Sequence, residues 1–385
     1  MLRAYKFRIY PSRLQEIKME QVLEICRTLY NNSLAERKST WETEKRTITY
    51  REQQSGLPLL KEKEQELQLV HSQVLQDVLR RLDKAFQNFF RRMKNGEKPG
   101  YPRFKAEIRY NSFTYPQFGK GYGLLDGALH ISKLGRMRMF RHREIKGGIK
   151  TCTISRDVNR WYACFLVELP EPAPVKKQPK NRVGVDVGLE SLITLNSGER
   201  IEPPRFLKRM ENKLAIEQHL LSRKRKGSAN RSKQRMKVAK VHRKVREQRK
   251  DFNHKLSRFL IENYDSIAFE DLRVRDMMQN GFLAKQIADA SWSQLMLFTQ
   301  YKAEEAGAWV EFVDARNTTQ ACSRCGAIVH KGLNERIHRC PSCGLVLGRD
   351  TNAARNILSR ATLGPRGSAC RDLQEQVSEA GSPTL

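Results

Sequence analysis

Two cysteine pairs constrain this chain more than any other feature of its 385 residues. Cys322-x2-Cys325 and Cys340-x2-Cys343 are separated by 14 residues, and each pair is followed by a glycine, Gly326 and Gly344. Four thiolates at that spacing satisfy a tetrahedral Zn2+, and the glycine lets the chain turn so that backbone N–H groups face the sulfurs. A closed four-sulfur site leaves no position for a substrate. The expected zinc is therefore structural, and such an ion contributes about 10–16 kcal/mol to the folding of a small ribbon. His338 lies near the second pair, but four cysteines already fill the ligand set. Cys26, Cys152, Cys164 and Cys370 are scattered, so the expectation is a reduced, metal-binding, cytoplasmic protein rather than a disulfide-built one.

Charge narrows the choice of partner. A net charge of +30 makes the surface repel itself, which is tolerable when the usual partner is a polyanion. No apolar run reaches the length of a spanning helix, and MLRAYKFRIYP has no apolar signal core, so neither a membrane nor export is expected. Residues 223–250 hold 14 Lys or Arg against one acid, Glu247. Val238, Val241, Val245, Phe252, Leu256 and Phe259 keep an apolar seam through and beyond this block, so a packed helix is expected and not a basic tail. Arg223, Lys224, Arg225, Lys226, Arg231, Lys233, Arg235 and Lys237 are the candidate contacts to a nucleic-acid backbone. Arg324, Lys331, Arg336, His338 and Arg339 would let the ribbon touch nucleic acid as well.

Along the chain, Tyr5, Phe7 and Ile9 alternate with Lys6, Arg8 and Tyr10, which predicts a strand. The following residues to about Met93 are helical in pattern. Leu79, Leu82, Phe86, Phe89, Phe90 and Met93 read as a core stripe, with Arg80, Arg81, Arg91 and Arg92 on the outer face. Short strands follow to about residue 170, then a proline-rich linker, PEPAPVKKQPK. After it come three strands, long basic helices, a strand ending at Glu270, a helix, a strand, the cysteine section and a last helix after Asp350. The residues beyond about 360 read as a weakly ordered tail.

Three carboxylates then stand out. In VGVDVGL, Val183, Val185 and Val187 share one strand face and Gly184, Asp186 and Gly188 the other; the glycines would leave room for a metal ion or a phosphate. Glu270 ends the strand SIAFE, and Asp350 opens the helix in GRDTNAARNIL. Singly each has an ordinary use: a buried DxG, a solvated strand end, a helix cap. Their order is more telling. An Asp on a first strand, a Glu on a later strand after helices and an Asp at the last helix is similar to an RNase H-like nuclease. There three acids hold two Mg2+ about 4 Å apart, one activating water and one stabilising the leaving oxygen. Oxygen ligands suit Mg2+, and the zinc ribbon becomes an insertion from which the chain returns into the site.

The motifs VGVDVGL, LSRKRKGSANRSKQRMKVAKVHRKV, IAFEDL, DASWSQL, CSRCG, CPSCG and GRDTNAARNIL, with AFQNFFRR and GYPRFK earlier, resemble the TnpB family in their order. These are transposon-encoded RNA-guided nucleases related to compact type V CRISPR effectors. The resemblance covers about residues 1–360. It implies an α+β multidomain fold: a wedge-like β-barrel (1–10 and 96–175) with an inserted helical recognition region (11–95). It also implies a RuvC-like α/β nuclease domain (180–317 and 348–360) interrupted by a zinc ribbon (318–347). Implied partners are a guide RNA from the transposon end and double-stranded target DNA, with no small-molecule substrate. Implied chemistry is Mg2+-dependent cleavage by Asp186, Glu270 and Asp350 beside a short flanking motif, contacted near Tyr50, Ser72, Gln76 and Thr114. Ser72 and Gln76, four apart, share a helix face, and Gln can read adenine. Base pairing would choose the sequence while basic surfaces hold the heteroduplex. Other readings stay open: a guided repressor without cleavage, an unguided RNase H-like nuclease or strand transferase, or a zinc-ribbon regulator.

Overall fold

The structure, a computed structural model, describes residues 1–170, 174–176, 178–279, 281–332 and 334–361. The expected tail lies outside the described residues, apart from Ala361. The chain forms two compact units, Met1–Pro172 and Ala173–Leu385.

The first unit begins with β1 (Leu2–Tyr10) and four helices: α1 (Arg13–Glu44), α2 (Tyr50–Ser55), α3 (Leu57–Lys63) and α4 (Ser72–Lys94). Six strands follow: β2 (Ser112–Tyr115), β3 (Tyr122–Leu125), β4 (Ala128–Ile131), β5 (Gly135–Phe140), β6 (Gly148–Asp157) and β7 (Arg160–Glu168). Helix starts are encoded locally. Ser12 and Gln15 form a reciprocal capping box on α1, and Thr49 and Glu52 another on α2. The strands make one sheet in the order β2-β6-β7-β1-β5-β4-β3, with β1 antiparallel to both β5 and β7. Among the described residues no ladder joins β2 to β3, yet Tyr115 and Tyr122 on these edge strands pack with ring centroids 6.2 Å apart. Phe7, Ile9, Phe113 and Phe165 meet Met19 and Cys26 of α1 and Val74, Leu75, Leu79 and Leu82 of α4 in one core.

Two expectations about α4 are corrected here. Its stripe enters the core only as far as Leu82, with Phe86 packed at the margin, whereas Phe90 and Met93 are half exposed. The helix outruns the sheet it packs on, so periodicity continues where burial stops. Arg81 is not on the outer face: its guanidinium bonds Asp77 at 2.7 Å, the Ser112 carbonyl at 2.9 Å and the Thr114 hydroxyl at 2.6 Å.

The second unit runs β8 (Arg182–Val187), β9 (Ile193–Leu195), β10 (Arg200–Ile201), α5 (Phe206–Ser222), α6 (Ala229–Asn263), β11 (Ser266–Glu270) and α7 (Val274–Met277). It continues through α8 (Ala284–Ala290), α9 (Trp292–Ala306), β12 (Trp309–Val313), β13 (Ile337–Arg339), β14 (Val346–Gly348) and α10 (Arg349–Arg360). Its main sheet has the order β10-β9-β8-β11-β12; β8, β11 and β12 are parallel and β9 turns back as a hairpin. The alternation along the central strands gives the sheet two unlike faces. Val183, Val185, Ile267 and Phe269 pack with Leu256 and Leu260 of α6 and Leu295 and Met296 of α9. Ala268, on the other face, packs with Val313, Ile357 and Ala361, which places α10 there.

Candidate functional site

Asp186 and Glu270 lie at the C-terminal ends of neighbouring parallel strands. The register pairs Phe269 with Val185, so the next residue of each strand, Glu270 and Asp186, comes side by side. Alternation turns both toward the α10 face. The small residues below them explain how a helix lies there. A Cβ on Gly184 would stand 2.0 Å from the Ala354 carbonyl oxygen and 2.7 Å from the Leu358 nitrogen. The space at this glycine is therefore filled by α10, which corrects the expectation that it is left for an ion or a phosphate. Asp350 lies one helical turn before Ala354, and the strand advances from Gly184 to Asp186 in the same direction, so the helix start carries Asp350 toward the two strand ends.

Electrostatics agree with this placement. Burial pushes the Asp186 carboxyl well above the usual range, and the charges of Glu270 and Asp350 push it further, against a smaller opposing effect of Arg349. Glu270 is also buried and raised by burial, a shift moderated by a hydrogen bond from the Thr318 hydroxyl to its Oε1 and by the Arg360 charge. It is not a solvated strand end. Asp350 makes no side-chain cap on α10; its Oδ1 lies 3.5 Å from Arg349 Nε. A buried carboxylate whose proton affinity is raised by two neighbouring acids favours a bound cation, and an all-oxygen donor set fits Mg2+.

The ribbon is built as its spacing predicts. The Sγ atoms of Cys322, Cys325, Cys340 and Cys343 all lie within 4.8 Å of one another, a donor set that fits zinc. Gly326 and Gly344 adopt φ of 78° and 70°, and their N–H groups donate to the Cys322 and Cys340 carbonyls. Burial would push the Cys340 thiol up, but N–H groups of Cys343 and Ser342 and the neighbouring thiols bring it down to about 6. At Cys340 the thiolate is thus favoured before any metal binds, whereas at Cys343 the Leu345 N–H is outweighed by burial and the neighbouring thiols, which push that thiol up to about 12. Among the residues expected to face nucleic acid, Arg324 and Arg339 are exposed. His338 is buried and meets the Lys331 ammonium, so these two are engaged within the fold, whereas Arg336 is exposed like Arg324 and Arg339 and forms a surface pair with the exposed Glu190 at 2.7 Å.

The ribbon's root, the loop from Thr318 to Ser323, is tied to the carboxylates by residues that sequence reasoning missed. Asn356 donates to the carbonyls of Thr318 and Ala321, at 2.8 and 2.7 Å. Asn352 donates to Ala321 and accepts from the Ser323 N–H. The signal was available: two asparagines four apart occupy one face of a helix. Arg360 holds the Asp314 and Arg316 carbonyls, each at 2.7 Å. Asp289, within the DASWSQL motif, accepts from the Leu207 N–H at the start of α5 and from Arg249 of α6.

Of the basic candidates, Arg223, Lys224, Arg225 and Lys226 are exposed at the turn between α5 and α6. Lys233, Arg235 and Lys237 are exposed on α6. Arg231 differs: its Nη1 donates to the Leu221 and Lys224 carbonyls and so closes the C-terminus of α5. In the first unit, Ser72 and Gln76 share a cavity of about 490 Å3 with Arg51, Gln54 and Lys61. Tyr50, at the start of α2, packs on the core. The Thr114 hydroxyl is held between Arg81 and Thr153, away from that cavity's lining.

Comparison with known proteins places the chain. Residues 164–281 match the OrfB_IS605 family, described as probable transposase, and residues 292–357 a Cas12f1-like TNB domain. Residues 1–46 match a helix-turn-helix domain of the same OrfB group, although here they hold one strand and one long helix. A putative RNA-guided DNA endonuclease of Streptomyces pristinaespiralis is 36% identical, over 96% of this chain and 91% of its own. The putative RNA-guided DNA endonuclease InsQ of Escherichia coli K12 is 31% identical, over 93% of this chain and 92% of its own. A solved mini-RNA-guided endonuclease, CRISPR-Cas_phi3, aligns over 94% of this chain and 93% of its own, at 9% identity and a TM-score of 0.49. With a relative this similar along nearly its whole length, the chain belongs to the TnpB family of insertion-sequence proteins, the family of RNA-guided DNA endonucleases.

Proposed function

We propose that this chain cuts double-stranded DNA selected by a guide RNA transcribed from the transposon end, and that Asp186, Glu270 and Asp350 form its active site. The observation that carries the reading is the adjacency of two buried acids at parallel strand ends, with Asp350 near enough to raise the proton affinity of Asp186. Mg2+ bound there would activate water and neutralise charge on the leaving oxygen. The chain's own part is positioning. Thr318 fixes one oxygen of Glu270, α10 presents Asp350, and Arg349 and Arg360 keep partial charge balance at the site's margins.

The second unit is read as a RuvC-like, RNase H-like nuclease domain (180–317 and 348–360) with a zinc ribbon (318–347). The first is read as a wedge-like barrel (1–10 and 96–175) around a helical recognition region (11–95). The cavity beside Ser72 and Gln76 supports a place for flanking-motif bases, with Tyr50 and Thr114 as further candidates. The exposed cations of the α5–α6 turn are candidates for the nucleic-acid backbone.

The test is plasmid cleavage in Mg2+ by protein co-expressed with the transcript of its downstream flank. The targets carry a guide match beside randomised bases, and Asp350→Ala is the control. Depletion of one flanking motif, lost in the variant, is expected. Target binding with every plasmid left intact would turn the reading to a guided repressor, and cutting with no RNA bound would sink guidance.

A further inference from the structure

The end of α4 leaves an ordered group of aromatic rings in solvent. Phe86, Phe89, Phe90 and Tyr101 touch one another in a closed circuit, with centroids 6.3 Å apart for Phe86–Phe90 and 5.2 Å for Phe89–Phe90. Tyr101 stands edge-on to Phe86 at 5.6 Å and to Phe89 at 5.5 Å. Phe86 anchors the group on the core, whereas Phe90 is 49% and Tyr101 45% exposed. Rings fixed in place lose little freedom when a flat partner stacks on them.

The surroundings identify that partner. Residues 84–105 carry seven Lys or Arg and one acid, Glu97. Lys84, Arg91, Lys94, Lys98 and Arg103 are all exposed. Exposed aromatic rings framed by cations fit bases on a phosphate backbone, and they fit unpaired bases, because paired ones hide their faces in the stack. A second copy of this chain would bring the same positive sign to the contact and be repelled. An apolar patch left bare between substrate encounters promotes aggregation, so the occupant is a resident strand and not a transient target.

We propose that Phe90 and Tyr101 form a stacking platform for unpaired bases of the bound RNA, with the neighbouring lysines and arginines holding its phosphates. The proposal rests on the reading of this protein as RNA-binding.

Affinity of the full chain for its downstream transcript, measured at several salt concentrations, tests it. The double variant Phe90→Ala/Tyr101→Ala is expected to bind about ten-fold more weakly with an unchanged salt slope, since no charge is removed. Phe90→Trp keeps the ring and is expected to bind as the parent does. Lys94→Glu/Lys98→Glu, on the exposed surface, is expected to flatten the salt slope. Transcript containing 4-thiouridine should photo-crosslink to the segment 86–104. Unchanged RNA affinity in the double alanine variant, with crosslinks elsewhere, overturns the platform. So does unchanged RNA affinity together with weaker capture of target DNA, or with loss of a sedimenting dimer. If the parent protein binds no transcript, the guided reading itself has failed; a variant that binds like an RNA-competent parent sinks only the platform.

Discussion

At the scale of single residues, the proposed active site turns on the Thr318–Glu270 hydrogen bond. A bond to a charged group is worth about 1.5–3 kcal/mol. Thr318→Val keeps the side chain's shape and removes the donor, so cleavage is expected to slow at least about ten-fold while target binding holds; Thr318→Ser should retain most of the rate. The pH dependence carries a sign. Burial raises the Glu270 acid and Thr318 opposes that rise. Losing the hydroxyl therefore moves Glu270 further up, and the acid limb of the rate profile should shift to higher pH in the valine variant. A profile that stays in place would remove Thr318 from the site. The place of Glu270 at a strand end was legible in the sequence, because alternation marks it. Thr318 was not, because nothing local says that a loop 48 residues later turns its hydroxyl inward. Gly184 misleads for the same reason: a missing Cβ announces space, and only the packed chain shows that Ala354 takes it.

At the scale of elements, the ribbon and α10 behave as one piece, because Asn352 and Asn356 grip the strand of chain that leads into Cys322. Chelating the zinc is expected to open the ribbon thiols to a labelling reagent, with Cys340 reacting first near neutral pH, and to lower cleavage by loosening Thr318. Cys26 and Cys152 provide the internal control. Both are buried, and burial pushes the Cys26 thiol up to about 12 and Cys152 well above its usual range, so neither should label until the protein unfolds. No increase in labelling on chelation would mean that zinc does not hold the four sulfurs. Strands and the cysteine ribbon were readable from sequence, since period-two alternation and ligand spacing are local codes. The stripe of α4 was readable only in part. Periodicity names the face of a helix, but what covers Phe90 is decided by where the sheet ends.

At the scale of the molecule, the charge of +30 is unevenly used. Arg81 and Arg231 look in the sequence like any other cations, yet both are consumed by bonds within the fold. Lys224→Glu/Lys226→Glu is therefore expected to weaken binding of duplex DNA and reduce the salt slope, by roughly 0.9 for each phosphate that is no longer neutralised. Arg231→Ala should leave the slope nearly unchanged and lower the melting temperature, because it uncaps α5. A slope reduced equally by both would show that Arg231 reaches phosphate after all. The first acid of the site is at residue 186 and the last at residue 350, on a helix that must lie across the strand bearing the first. During synthesis the ribosome releases both strands well before α10, and the ribbon immediately before it. On the proposed reading, a growing chain carries the basic α5–α6 turn before its three acids are complete, and a product terminated ahead of α10 is expected to hold nucleic acid but not to break it.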